Sequence, residues 1–111
     1  MHVKDKILVT FWGTRGSIAT PGRSTEKFGG NTSCVSFKLN NDYFIFDAGT
    51  GIRALGVEIM ESLSGSNDEK TLNLFLSHTH WDHIQGLPFF QPAYHPAFKM
   101  KIFGSAKKGS M

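Results

Sequence analysis

The sequence of 111 residues contains a single cysteine, Cys34, and no CxxC pair. No disulfide can form within the chain, so we expect a reducing, cytoplasmic location. Cys34 lies in an apolar run with Val35 and Phe37, which predicts a small buried hydrophobe and not a nucleophile. The apolar run at 7–12 is too short for a signal peptide or a membrane span, so no membrane association is expected.

The excess of positive over negative charge is also small. The 12 Lys and Arg residues against 9 Asp and Glu leave a formal net charge of +3. This excess suits an anionic substrate such as a phosphodiester, but the scattered basic residues do not favour a dedicated nucleic-acid-binding patch. With 40% hydrophobic and 13% aromatic residues, the chain is expected to form a packed core within one domain.

Hydrophobic periodicity predicts strands at 7–12, 32–39, 43–46, 71–76 and 99–103, with a hairpin turn at 40–42. The first strand is nearly all apolar, which predicts burial on both faces. Apolar residues recur at helical spacing from Ile52 to Leu63, with Thr50 as the expected N-cap. The segments 13–30 and 89–98 are expected to be long loops. This order predicts an α/β (α+β) fold, a mixed sheet with a helix packed on one face.

Three of the five histidines and one aspartate lie within six positions directly after the predicted fourth strand. They are His78, His80, Asp82 and His83. Residues i and i+2 of an extended segment point the same way, so His78 and His80 can reach one metal ion. Asp82 and His83 are then placed on a second ion as the chain turns into a helix. Imidazole and carboxylate donors favour zinc, with manganese, iron and nickel as alternatives. A histidine-rich surface loop is the competing interpretation.

The segment His78-Thr79-His80-Trp81-Asp82-His83 resembles the HxHxDH motif of the metallo-β-lactamase superfamily of metal-dependent hydrolases. The flanking segments 11–17, 29–33, 46–51 and 84–88 resemble its phosphodiesterase branch, which includes ribonuclease Z, and occur in the same order. The resemblance covers residues 7 to 103. It implies the N-terminal half of the four-layer αββα sandwich of that family.

This resemblance implies that His78 and His80 bind the first metal ion, and Asp82 and His83 the second. A water held between the ions would attack the substrate, and Asp82, as the catalytic residue, would orient that water and accept its proton. Asp47, at the end of the third strand, would fix the tautomer of a metal-binding imidazole. A turn residue or a helix N-terminal acid is the alternative for Asp47.

Two further features have alternatives that stay open. Gly49-Thr50-Gly51 resembles a phosphate cradle but lacks P-loop spacing, which favours a tight turn into the helix. Arg15 is a candidate contact for a substrate phosphate, with a structural ion pair as the alternative.

The resemblance also implies ligands that this chain does not contain. After His83 the sequence holds one further histidine, His95, and no Asp or Glu, whereas the family takes more ligands from a second half of the fold. His95 is expected in a loop and not as a ligand. We therefore expect 1–111 to be a partial domain with weak metal binding and little turnover by itself. A separate chain bearing the missing half could complete the site, whereas a homo-oligomer would only duplicate the same ligands.

Three functions are predicted. The first is a metal-dependent phosphodiesterase that acts on a cyclic nucleotide, a small phosphodiester or an RNA 3′ end. The second is a catalytically incomplete half-domain that needs a missing C-terminal half or a partner chain. The third is a thioester or lactone hydrolase of the same superfamily, ranked lower because segments 13–14 and 86–88 resemble the phosphodiesterase branch.

Overall fold

A computed structural model describes residues 6–63, 70–77 and 79–104. The strands are β1 (Leu8–Gly13), β2 (Cys34–Leu39), β3 (Asp42–Phe46), β4 (Lys70–Leu76) and β5 (Phe98–Gly104), and the α-helix is α1 (Ile52–Glu61). Short 3-10 turns occupy Arg23–Thr25, Trp81–His83, Leu87–Phe89 and Gln91–Tyr94. All five predicted strands and the predicted helix are therefore present, with small shifts at their ends.

The strands form one mixed sheet in the order β1-β2-β3-β4-β5. β2 pairs antiparallel with β1 on one side and with β3 on the other. The predicted hairpin is confirmed: Leu39 pairs with Asp42, and Asn40 between them adopts a φ of 56°. β4 pairs in parallel with β3, and β5 pairs in parallel with β4. Because parallel strands end at the same edge of a sheet, the carboxyl ends of β3 and β4 lie side by side.

One face of the sheet is covered by α1 and carries the core. Ile52, Leu55 and Ile59 of the helix are fully buried, as are Ile45 and Leu74 of the sheet. Burial of each such side chain contributes about 1.5–3 kcal/mol, so this contact holds α1 and the strand ends in place. The prediction of a mixed sheet with a helix on one face is confirmed.

Cys34 is part of this core, as predicted, and is fully buried. Its burial, and secondarily the nearby charge of Asp47, raise the pKa of its thiol to about 12. A thiol with this pKa stays protonated at neutral pH, and only the thiolate is a strong nucleophile. Cys34 therefore acts as a packing residue.

Two predictions, the burial of β1 on both faces and the N-cap of α1, are wrong. β1 is not buried on both faces: Leu8 is 58% exposed and Phe11 69% exposed. It is an edge strand in an antiparallel pair, so it lacks the cover that a central parallel strand receives. Thr50 does not cap α1 either. Gly51 occupies the N-cap position, and the Thr50 hydroxyl instead accepts the backbone N–H of Thr32 at 2.8 Å.

The segment 89–98, predicted as an irregular loop, contains the end of one 3-10 turn and all of another. Phe90 within it is fully buried. A Cβ atom at Gly56 of α1 would lie 3.1 Å from the Phe90 ring and 3.1 Å from Pro92. The absence of a side chain at Gly56 thus lets the segment pack closely on the helix, a contact that no local pattern reveals.

The opposite face of the sheet is apolar and open to solvent. We call it the aromatic face, and it comprises Ile7, Val9, Phe37, Phe44, Phe46, Phe75 and Phe103. Phe46 lies at its centre, with ring centroids 5.2 Å from Phe37 and 5.1 Å from Phe75. Phe103 continues the row at 4.9 Å from Phe75. Contiguous exposed apolar surface of this kind marks an interaction site.

Within the described ranges, no helix has both the length and the apolar character needed to cross a membrane.

Candidate metal centre

The motif residues stand on the turn that follows β4. His78 lies outside the described residues. His80 is exposed and precedes the turn Trp81–His83 with extended backbone, φ −61° and ψ 148°. Asp82 and His83 belong to that turn, which is where the sequence predicts that the chain turns into a helix.

His83 lies between two carboxylates. Its Nδ1 atom is 3.0 Å from Asp47 Oδ2, and its Nε2 atom is 3.3 Å from Asp82 Oδ2. Asp47 follows β3 and Asp82 follows β4, so the parallel pairing of these two strands brings the carboxylates to one imidazole. The three side chains are 13–17% exposed, and charge interactions are stronger in such a partly buried place than at the surface.

The spacing of Asp82 and His83 suits shared coordination of one ion. Two donors at zinc-ligand distance and at the tetrahedral angle are about 3.4 Å apart, and Asp82 Oδ2 and His83 Nε2 are 3.3 Å apart. A neutral imidazole with its proton on Nδ1, facing Asp47, leaves the lone pair on Nε2 for a metal. These two atoms therefore fit a divalent cation.

Two donors do not complete such a site. In the described part of the chain, which leaves out His78, no group of three His, Cys, Asp or Glu side chains is arranged to hold an ion. His95 makes contacts within its own loop: its Nδ1 accepts the backbone N–H of Ala97 at 3.1 Å, and its ring packs on Phe98. The described residues thus supply one pair of candidate donors, fewer than a metal ion typically takes from a protein.

Asp47 is held firmly where β3 ends. Ser77 donates its backbone N–H to Asp47 Oδ1 at 2.8 Å, and its hydroxyl reaches both carboxylate oxygens at 2.9 and 2.8 Å. The backbone of Asp47 adopts a φ of 67°, a left-handed conformation that aspartate tolerates better than most residues. The Asp47 N–H, bonded to the carbonyl of Phe75 at 2.8 Å, maintains that conformation.

Ser77 was missed by the reasoning from sequence. Its only local signal is a hydroxyl at the end of an apolar strand, directly before the motif. The same is true of Gln85, whose amide donates to the Thr32 hydroxyl at 3.1 Å. Each residue supports the site through a partner distant in sequence.

Gly49 and Gly86 allow the segment after β3 to lie against the motif. A Cβ atom at Gly49 would overlap the Thr32 hydroxyl and the carbonyl of Asp82, and one at Gly86 would overlap the carbonyl of Gly49. The two segments are joined by hydrogen bonds from Ala48 N–H to the His83 carbonyl at 2.7 Å and from Gly86 N–H to the Ala48 carbonyl at 2.8 Å. Gly49-Thr50-Gly51 is therefore a closely packed turn into α1, the interpretation favoured by its spacing.

Arg15 lies in the loop between β1 and β2. Its Nε donates to the Ile18 carbonyl at 2.8 Å, and its backbone N–H to the Asn31 carbonyl at 3.0 Å. The structural ion pair considered for Arg15 is not among the salt bridges between described residues. Two residues further on, the backbone N–H of Ser17 donates to Asp82 Oδ2 at 3.3 Å, so this loop contacts a candidate metal ligand directly.

Residues 28–98, more than half of the chain, match the family model described as the metallo-beta-lactamase superfamily. The chain belongs to the metallo-β-lactamase superfamily. This membership confirms the resemblance drawn from the motif and its flanking segments. It also implies divalent metal ions, usually zinc.

The similar curated proteins are named ribonuclease Z. Over 80 residues the chain is 36% identical to that of Halobacterium salinarum and 34% identical to that of Picrophilus torridus, and each match covers 72% of this chain and 22% of the relative. The Lactobacillus johnsonii protein is 35% identical over 85 residues, 74% of this chain and 24% of the relative. The chain thus spans less than a quarter of the length of these relatives. A crystal structure from Thermotoga maritima, assigned to the metallo-beta-lactamases, has 20% identity and a TM-score of 0.42 over 85% of this chain and 42% of that one.

Proposed function

We propose that this chain is part of a metal-dependent hydrolase that cleaves phosphodiesters, with a cyclic nucleotide, a small phosphodiester or an RNA 3′ end as substrate. The observation that carries the proposal is the arrangement of His83 between Asp47 and Asp82, with Nε2 and Oδ2 at ligand spacing, 3.3 Å apart. The ribonuclease Z relatives support RNA among these substrates. A cytoplasmic location stays a prediction from the single cysteine.

Each residue of the motif would have its own role in this reaction. His78, His80, Asp82 and His83 hold two divalent ions, zinc first, with manganese, iron or nickel as alternatives. Bound divalent metal supplies Lewis acidity and a water of lowered pKa. The Asp82 carboxylate, positioned by the backbone N–H of Ser17, accepts the proton of the attacking water. Asp47 keeps the His83 ring in the tautomer that presents Nε2.

The test is hydrolysis of bis(p-nitrophenyl) phosphate by the protein that the complete reading frame encodes, with Zn²⁺ or Mn²⁺ added. We expect metal-dependent hydrolysis that falls by at least about 10–100-fold in His80→Ala, because losing a ligand should cost no less than losing a residue that orients one. His95→Ala is the matched control, because His95 lies outside the motif and should leave the rate unchanged. Hydrolysis that survives a chelator, or that is equal in His80→Ala and the parent protein, refutes the proposal. Faster turnover of a thioester or a lactone than of the phosphodiester would favour the third predicted function.

We also propose that 1–111 is a partial domain, completed by a C-terminal half or by a partner chain. Three observations support this: the two-donor centre, the open aromatic face, and the greater length of the relatives. The missing part would supply further metal ligands and cover the aromatic face. A homo-oligomer could cover the face but would add no new type of ligand.

Elemental analysis of the purified 111-residue chain after dialysis tests the partial domain. We expect less than one tightly held metal ion per chain, because zinc enzymes typically use three protein ligands at each ion. Two retained equivalents per chain would show that these residues suffice, and the partial-domain proposal would then fail.

A further inference from the structure

The loop between β1 and β2 forms a groove of about 500 Å³ beside the metal centre. Its lining combines cations, hydroxyl groups and an aromatic ring, contributed by Arg15, Ser17, Ser24, Thr25, Lys27 and Phe28. We call it the loop groove. Ser17 belongs to both places, since it lines the groove and its backbone N–H donates to Asp82 Oδ2 at 3.3 Å. A molecule with its reacting bond at Asp82 can therefore extend its neighbouring portion into the loop groove.

Phe28 is an exposed ring beside a cation. It is 75% exposed, although burial of a phenylalanine is favoured by about 1.5–3 kcal/mol. Lys27 Nζ lies 5.3 Å from the ring centroid. The Phe28 carbonyl accepts the Thr14 hydroxyl at 3.4 Å, which ties this part of the loop to the end of β1. Exposed aromatic rings beside cations are typical of surfaces that bind single-stranded nucleic acid, by base stacking and phosphate pairing.

Arg15 supplies a second cation to the same groove. The hydrogen bond from its Nε to the Ile18 carbonyl, at 2.8 Å, orients the guanidinium. That bond uses one of the five N–H donors of arginine, and the planar group suits bidentate pairing with a phosphate. The hydroxyl of Thr25 holds the loop itself, since it donates to the Thr20 carbonyl at 2.6 Å. The cations and the ring thus lie on a loop whose conformation is held by hydrogen bonds.

We propose that the loop groove binds the nucleotide adjacent to the scissile phosphodiester of single-stranded RNA. Phe28 stacks on the base, and Lys27 and Arg15 pair with the phosphate. This assignment rests on the proposed phosphodiesterase function for the identity of the bond that is cut. It selects RNA, which has a nucleotide beyond that bond, over a cyclic nucleotide or a small phosphodiester.

Binding is measured by fluorescence anisotropy with a fluorescein-labelled single-stranded RNA octamer, in EDTA so that no hydrolysis occurs. Phe28→Leu should raise Kd about fivefold or more, the loss expected for one stacked base. Lys27→Gln should lower the slope of log affinity against log salt by about 0.7, the contribution of one phosphate contact on a single strand. Circular dichroism confirms that both variants remain folded.

The chain offers a matched control for each variant. Phe89→Leu removes a ring that is 67% exposed outside the groove. Lys38→Gln removes an ammonium that lies 5.5 Å from the Tyr43 ring, a cation–π contact like that of Lys27. Both controls should bind the octamer as the parent chain does.

The subsite is overturned if the parent chain does not bind the octamer, if Phe28→Leu keeps the parent Kd, or if the controls lose as much affinity as the groove variants. It is also overturned if duplex RNA of the same sequence binds equally well, because paired bases cannot stack on Phe28. Unchanged binding in the groove variants, with hydrolysis that depends on His80, removes the subsite and leaves the phosphodiesterase. Binding lost only in the groove variants, without metal-dependent hydrolysis by the complete protein, removes the phosphodiesterase and leaves an RNA-binding groove.

Discussion

At the scale of single residues, the Asp47 carboxylate contacts both His83 and Ser77. One oxygen of its carboxylate faces His83 Nδ1 at 3.0 Å, while hydrogen bonds from Ser77 hold both oxygens. These hydrogen bonds fix the position of the carboxylate relative to the imidazole. A carboxylate that orients a metal-binding imidazole raises the affinity of that imidazole for the metal.

The Asp47→Asn variant tests this role. The amide keeps the shape of the side chain but loses its charge, so zinc affinity should fall about 10–100-fold. Competition with a chromophoric chelator in the complete protein measures that affinity. Asp42→Asn, an exposed acid at the other end of β3, is the control. Equal affinities in Asp47→Asn and the parent, or an equal loss in both variants, would contradict an orienting role.

Cys34 gives a prediction about pH. An unfolded thiol titrates near 9.0, whereas the folded pKa is about 12 because the charged form is disfavoured by burial and then by Asp47. Between these values the unfolded chain binds fewer protons than the folded chain. The free energy of unfolding should therefore fall as pH rises from about 9 to about 12, by at most about 1.4 kcal/mol per pH unit from this group.

Urea denaturation at pH 8, 9 and 10 measures this dependence, with Cys34→Ala as the reference that lacks the thiol. The parent chain should lose more stability than Cys34→Ala over this interval. The folded parent should also resist iodoacetamide at pH 8. Parallel pH profiles in the two proteins would show that the thiol titrates normally in the fold.

At the scale of elements, the site depends on how closely the segment after β3 approaches the turn after β4. Hydrogen bonds from Ala48 to His83 and from Gly86 back to Ala48 join the two segments. Gly49 and Gly86 leave the space for this contact, because a side chain at either position would overlap backbone atoms. The glycine-rich pieces near the motif therefore serve packing.

Gly49→Ala tests this packing. The added methyl group would force the segments apart, and we expect a loss of about 1–3 kcal/mol in the free energy of unfolding. Gly16→Ala is the matched control, since its Cβ would meet no atom within 4 Å. Urea denaturation should show little change or a small gain for Gly16→Ala. Equal stability of Gly49→Ala and the parent would show that the contact is not tight in solution.

At the scale of the whole molecule, the aromatic face is the feature that the described residues leave open. Val9 and Phe46 on this face are 44% and 39% exposed. Surface of this kind is removed from water by association or by further polypeptide. The partial-domain proposal assigns that cover to the missing half.

Val9→Thr tests the cover, with Val57→Thr on the exposed side of α1 as control, because both valines are 44% exposed. In the complete protein Val9→Thr should cost about 1 kcal/mol of stability, since it places a hydroxyl in an apolar contact. Val57→Thr should change stability by less than about 0.5 kcal/mol. Denaturant titration measures both. An equal effect of the two substitutions would mean that Val9 stays in water.

Local patterns were sufficient to predict the strands, the hairpin and the helix. Alternation and helical spacing act over a few residues, so the apolar positions from Ile52 to Leu63 predict one helical face without knowledge of what covers it. The exposure of β1 could not be predicted in this way. An apolar strand has the same sequence pattern whether it is central or lies at an edge. β1 lies at the edge because, among the described strands, it pairs only with β2.

The sequence by itself determined the chemistry: which donors follow β4, that Asp47 ends a strand, and which superfamily the motif resembles. These are properties of residue type and order. Only the tertiary structure decided that Asp47 and Asp82 meet the two nitrogens of His83, that Ser77 braces Asp47, and that Ser17 links the loop groove to Asp82. Each of these contacts depends on strand pairing and backbone packing between segments far apart in sequence, and spacing along the chain cannot encode a distance across the fold.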